Sequence, residues 1–144
     1  MSASATSRQF ALQLVAASQH LAQRLDARLG SLRGISFAEY RLLATLADQP
    51  AARASRVELA RTLGLTPSGV TRALKPMEKL GIVATVKSKR DARLAIAGLT
   101  PAGRSLVNEA ATIVDETLQD LVTAVSLEHE EMRSVTQVLT KLTR

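Results

Sequence analysis

Ser68, Thr71/Arg72, Lys75 and Lys79 recur at three- and four-residue intervals, the spacing that lines side chains along one stripe of an α-helix. The stripe holds hydroxyls, a guanidinium and two ammonium groups, and no acid. Such groups donate hydrogen bonds and carry positive charge, which is what phosphate oxygens and base edges accept. The opposite stripe, Val70, Ala73/Leu74, Met77 and Leu80/Gly81, is apolar and is expected to face a core. A helix from Pro67 to Leu80 would be about 20 Å long, enough to lie in a major groove. Its start is marked by Thr66 and Pro67, a hydroxyl cap followed by a proline where a missing N–H costs nothing. Unshared N–H groups at that end attract a phosphate. The expected duplex-facing set on this helix is Thr66, Ser68, Thr71, Arg72, Lys75 and Lys79.

A second cationic cluster follows. Ile82–Val86 and Leu94–Ala97 read as two short strands, joined by a segment carrying Lys87, Lys89, Arg90 and Arg93 around a single acid, Asp91. Long cations on a hairpin tip reach a neighbouring minor groove, where narrow walls concentrate negative potential. Asp91 can pair with Arg93 or Arg90 and hold one guanidinium extended. Charge is divided along the chain accordingly. Residues 50–93 carry ten Lys/Arg against three acids, whereas residues 94–144 carry four against seven. A basic middle between less basic ends points to a polyanionic partner met by one segment.

The elements that position these groups are mainly helical. Ser36 with Glu39 and Ser55 with Glu58 fit capping boxes, and Thr100-Pro101 repeats the Thr66-Pro67 pattern. Phe10, Leu14, Ala17, Leu21, Leu25 and Leu29 mark a long first helix ending between Gly30 and Gly34. A second is expected over Phe37–Ala47, a third over Val57–Leu63, and a fourth from Pro67 to about Leu80, closed by Gly81. Leu59, Leu63, Leu65, Val70 and Leu74 are expected to form the small core of a helix-turn-helix that turns at Gly64, with Ala60 at the close approach. Pro76 either bends the fourth helix or ends it early. Leu106, Ala110, Ile113/Val114, Leu118, Leu121 and Val125 mark a fifth helix, and Ser126 is expected to cap a sixth. The fold expected is mainly α: a winged helix-turn-helix, with a three-helix core and a β-hairpin wing, between long N- and C-terminal dimerisation helices. The expected divisions are residues 1–34, 35–99 and 100–144.

Composition narrows the function. Hydrophobic residues at 46% and charged residues at 22% suit a globular chain rather than a disordered one. No cysteine is present, so disulfides, thiolate metal sites and thiol redox switches are excluded. Two distant histidines, His20 and His129, do not suggest a metal site or a Ser–His triad, and Ser55, Ser68 and Ser105 have no evident His/acid partner. Phe10, Phe37 and Tyr40 are the sole aromatics, too few for stacking single-stranded bases. No apolar run spans a bilayer, and Gln9, Gln13 and His20 interrupt any secretory signal. A cytoplasmic protein that is not an enzyme, needs no cofactor and meets no membrane is expected.

The order of these motifs resembles the MarR family (multiple antibiotic resistance regulators). The likeness rests on the helix-turn-helix, Gly81-Ile82-Val83, Asp91-Ala92-Arg93 and Leu99-Thr100-Pro101-Ala102-Gly103-Arg104, and spans roughly residues 36–125. The resemblance implies a dimer whose end helices intertwine. It also implies that Thr71 and Arg72 belong to the reading segment, Asp91 is the orienting acid and Arg93 the minor-groove arginine. Ala92 and Thr85 depart from it, standing where many members carry basic residues. The function it implies is a homodimeric transcription regulator, a repressor on a palindromic duplex operator. Family members usually release DNA when a small ligand enters a cleft, for which His20, Arg24 and Tyr40 are the candidates here. The competing expectation is an architectural winged-helix or protein-interaction module that senses no effector. Apolar residues of the end helices (Leu12, Leu14, Val15, Leu21; Val135, Val138, Leu139, Leu142) exceed what so small a core covers, which independently favours a homodimer.

Overall fold

Side-chain caps begin the helices where the sequence places them. The computed structural model describes residues 2–87 and 95–144. Among them, helix α1 spans Ala3–Arg33, α2 Phe37–Ala47, α3 Arg56–Leu63 and α4 Pro67–Lys79. Strands β1, β2 and β3 are Arg53–Ser55, Val83–Lys87 and Ala95–Leu99; α5 is Pro101–Ala124 and α6 His129–Leu142. The protein is mainly helical with a winged helix-turn-helix at its centre. No helix among the described residues is long and apolar enough to cross a membrane.

Both capping boxes form. The Ser36 hydroxyl accepts from the Glu39 N–H at 3.0 Å, and the Glu39 carboxylate accepts from the Ser36 N–H at 3.2 Å. At α3 the matching distances for Ser55 and Glu58 are 3.2 and 2.8 Å. The Ser55 backbone N–H, and then its hydroxyl, hold the Glu58 carboxyl below its ordinary 4.5. A carboxyl lowered in this way stabilises the fold above its ordinary value and loses that contribution as pH falls through the folded one. Thermal melts taken from about pH 6 to about pH 3 should therefore decline less steeply for Glu58→Gln than for the unaltered chain. Parallel decline would contradict the cap.

The sheet has order β1-β3-β2 and is antiparallel throughout, with Ala54 and Thr85 both opposite Ala97. The hairpin β2–β3 was expected; β1 was not, because Arg-Ala-Ser has no β-branched or aromatic residue to signal a strand. Pairing with β3 holds it.

Three expectations need correction. Leu65 is not core but 48% exposed, because its backbone N–H turns back to the Ala60 carbonyl and the left-handed Gly64 redirects the chain. Leu80 is 74% exposed; it caps the end of α4, about 80° around the helix from Val70, at the edge of the buried stripe. Ser126 does not cap α6. It takes a left-handed φ of 52° and closes α5, its N–H donating to the Thr123 carbonyl and that of Leu127 to Val122. Glu128 occupies the cap of α6 instead.

Two apolar clusters result. One joins Leu42, Leu43 and Leu46 of α2, Leu59 and Ala60 of α3, Val70, Leu74 and Met77 of α4, and Val107 of α5 to the sheet. The other joins Leu25 and Leu29 of α1 to Ala110, Ile113 and Val114 of α5. Each large aliphatic side chain fully buried here contributes about 1.5–3 kcal/mol. α5 belongs to both.

The Thr100-Pro101-Ala102-Gly103 segment fixes α5 against the turn after α4. The Thr100 hydroxyl accepts from the Gly103 N–H at 3.1 Å and lies 2.6 Å from the Gly81 carbonyl oxygen, to which it donates. The Thr100 N–H donates to the Ile82 carbonyl at 3.1 Å. Gly103 is buried, and a Cβ there would fall on that same carbonyl oxygen and 3.0 Å from Leu99 Cδ2.

Candidate nucleic-acid interface

Each helical residue advances about 100° around the axis, so positions on α4 can be read as angles from the buried Val70. Leu74 and Met77 then lie within about 40° of it, and both are buried. Ser68, Arg72, Lys75 and Lys79 lie at about 140–200°, and all four are exposed. The expected cationic edge is thus presented to solvent along the length of α4. Thr66 is exposed as well, with its hydroxyl accepting from the Gly69 N–H at 3.0 Å, which commits it to capping.

Thr71 stands apart from the rest of the set. At about 100° it is half-buried on a flank of α4, its hydroxyl donating to the Pro67 carbonyl at 3.0 Å. The same oxygen accepts from Arg56 Nη1 at 3.1 Å. α4 runs through Pro76 to Lys79, so the helix does not end early. Pro76 has no N–H for the Arg72 carbonyl, and it is exposed, which puts that unsatisfied acceptor on the solvent side.

Lys87 closes β2 and is exposed. Lys89, Arg90, Asp91 and Arg93 lie outside the described residues.

Away from α4, a cavity of about 670 Å³ is lined by Leu14, Leu21 and Ala22 of α1, by Asp26, Phe37 and Arg41, and by Val135 and Leu139 of α6. Asp26 Oδ1 accepts from the Phe37 N–H at 2.7 Å and so helps to cap α2 from α1. His20, Arg24 and Tyr40 are not among the lining residues. Arg24 lines a smaller groove of about 260 Å³ with Arg28, Thr117 and Asp120, while His20 is exposed on α1. Tyr40 stacks on Phe37 with ring centroids 6.2 Å apart. Burial, with Asp115 and Asp48 adding to it, raises its phenol above the ordinary tyrosine value.

Sequence reasoning counted Arg56 only among the charges of the basic middle. In the fold it touches two flanking residues of α4: Thr71, and Glu78 through Nη2 at 3.6 Å. No local pattern signals this, because the contact spans fifteen residues and depends on how α3 crosses α4.

Comparison with known proteins agrees with this architecture. A structure of the transcriptional regulator BldR from Sulfolobus solfataricus is 22% identical with a TM-score of 0.83, and the match covers 98% of this chain and 99% of that one. A MarR family transcriptional regulator from Streptomyces coelicolor, solved in complex with DNA, is 25% identical with a TM-score of 0.85, over 96% and 86% of the two chains. BpsR of Bordetella bronchiseptica, whose DNA binding is described as regulated by 6-hydroxynicotinic acid, is 20% identical with a TM-score of 0.83, over 94% and 99%. No curated protein matches the chain significantly in sequence. Residues 33–94, the segment that carries α2 to α4 and β2, match the sequence model of the MarR family. The chain is thus similar to the MarR family over residues 33–94, and it shares the winged-helix fold of solved regulators of that family.

Proposed function

We propose that the protein is a homodimeric transcription repressor that grips a palindromic duplex operator through α4 and the wing, and releases it when a small molecule binds. The observation that carries this is the exposed, acid-free edge Ser68–Arg72–Lys75–Lys79 on a helix whose opposite side is locked into the core. Arg72 and Lys75 face the base edges and Lys79 a phosphate; Lys87, Lys89, Arg90 and Arg93 extend the grip into the adjoining minor groove, with Asp91 orienting an arginine. Residues 35–99 serve as the DNA-binding unit, and residues 1–34 and 100–144 as the dimerisation unit.

Support for the dimer comes from surfaces the single chain leaves uncovered. α6 buries no residue, and α1 buries only Leu25 and Leu29 of its 31 residues. A groove of about 380 Å³ between them is lined by Phe10, Leu14, Val135, Val138 and Leu139. A two-fold pair covers this surface and sets two copies of α4 about 34–36 Å apart, one turn of DNA. The effector reading is supported by the 670 Å³ cavity, apolar with Asp26 and Arg41 on its wall.

The test begins with duplexes selected by the protein from a random pool. One discrete protected palindrome in a footprint supports the regulator, and diffuse coverage supports an architectural role instead. Arg72→Ala should weaken binding to the selected duplex by about 1–3 kcal/mol and relax preference at one position per half-site. Unchanged affinity would remove Arg72 from the interface.

A further inference from the structure

We infer that Arg56 is a positioning residue for DNA recognition, a brace that sets how α4 is turned about its own axis and ties it to the base of the wing. The inference rests on the reading of α4 as the DNA-facing helix.

Four side chains from three elements converge. Arg56 is the first residue of α3. Its Nη1 donates to Thr71 Oγ1 at 3.1 Å, and its Nη2 lies 3.6 Å from Glu78 Oε1. Thr71 and Glu78 are seven residues apart on α4, two turns, and so share one flank. The Thr85 hydroxyl of β2 donates to the same Glu78 oxygen. One planar fork therefore spans α4 lengthwise, and the carboxylate it meets also holds the wing strand.

Two consequences follow for binding. A helix held at two points on one flank cannot roll, so the angle at which Arg72 and Lys75 are offered is fixed. Glu78 is also the only acid on α4, beside Lys75 and Lys79. Paired with Arg56, its charge is offset; unpaired, it would repel a phosphate. Stability alone does not account for Arg56. Its Nε is buried and finds no acceptor among the described residues, a cost to folding. Partly buried ion pairs are poor stabilisers and better suited to fixing one geometry.

Arg56→Lys keeps the charge and loses the fork; Glu78→Gln keeps the shape and loses the charge. Two readouts are needed, one without DNA. In the protein alone, amide hydrogen exchange over residues 83–87 and the second half of α4 should rise about tenfold in both variants, with α1 and α5 unchanged. In competition against random duplex, preference for the selected duplex should fall about tenfold, as though one base pair per site were misread, while the salt dependence of Arg56→Lys stays that of the unaltered chain. Unaltered exchange overturns the brace. So does an equal loss on selected and random duplex with a shallower salt slope, which would make Arg56 a phosphate contact. Should Arg56→Lys fail to fold, Glu78→Gln carries the same comparison. A native chain that selects no duplex overturns the DNA reading, and the exchange measurement still decides the brace.

Discussion

Gly103→Ala is expected to lower the unfolding free energy by about 2–3 kcal/mol, against the usual sign for such a change in a helix. At an ordinary helical site alanine would be better than glycine by about 0.5–1 kcal/mol. Here the added methyl meets the Ile82 carbonyl oxygen, a backbone atom that also accepts from the Thr100 N–H, and the Leu99 side chain behind it. Neither rotamer change nor side-chain bending relieves a clash with backbone, so α5 must back away from the turn after α4. The check is chemical denaturation with Gly30→Ala as a control, since a Cβ at Gly30 of α1 meets nothing within 4 Å. Equal stabilisation of both variants would refute the close approach.

Removing residues 127–144 is expected to convert a dimer into monomers or insoluble protein and to weaken binding to the selected duplex by about a hundredfold or more. The segment contributes no buried residue to its own chain, whereas Val135, Val138 and Leu142 stand exposed along α6. On the proposed dimer, its value lies in what it covers on a second copy. Such pairing would make the second half-site contact intramolecular, and its loss would leave each α4 to bind alone. Light scattering with size exclusion reads the mass directly. A soluble, well-folded, truncated chain that stays monomeric yet binds tightly would refute the dimer.

The sequence was most legible where structure is local. Each of Ser36, Ser55, Thr66 and Thr100 caps the helix expected of it, because a hydroxyl and the third N–H after it lie within one turn. Gly81 closes α4 with a φ of 71° for the same reason. The stripe on α4 was also readable, since periodicity alone sorts Val70, Leu74 and Met77 from Ser68, Arg72, Lys75 and Lys79. What depends on distant partners was not. β1 forms on β3 more than forty residues later, and Arg-Ala-Ser carries no sign of it. Ser126 looked like a cap because hydroxyls usually are, yet the return of Leu127 to Val122 decides its geometry. Periodicity alone puts Thr71 on the flank of α4, but its contact with Arg56 depends on how α3 crosses α4 and leaves no local sign.

α5 passes from one apolar cluster to the other between Val107 and Ala110, less than a single turn. No stretch of that rod is left slack. One residue added or lost there would swivel the reading head by about 100° against its stem, so chain length at this joint governs aim as strictly as any side chain does.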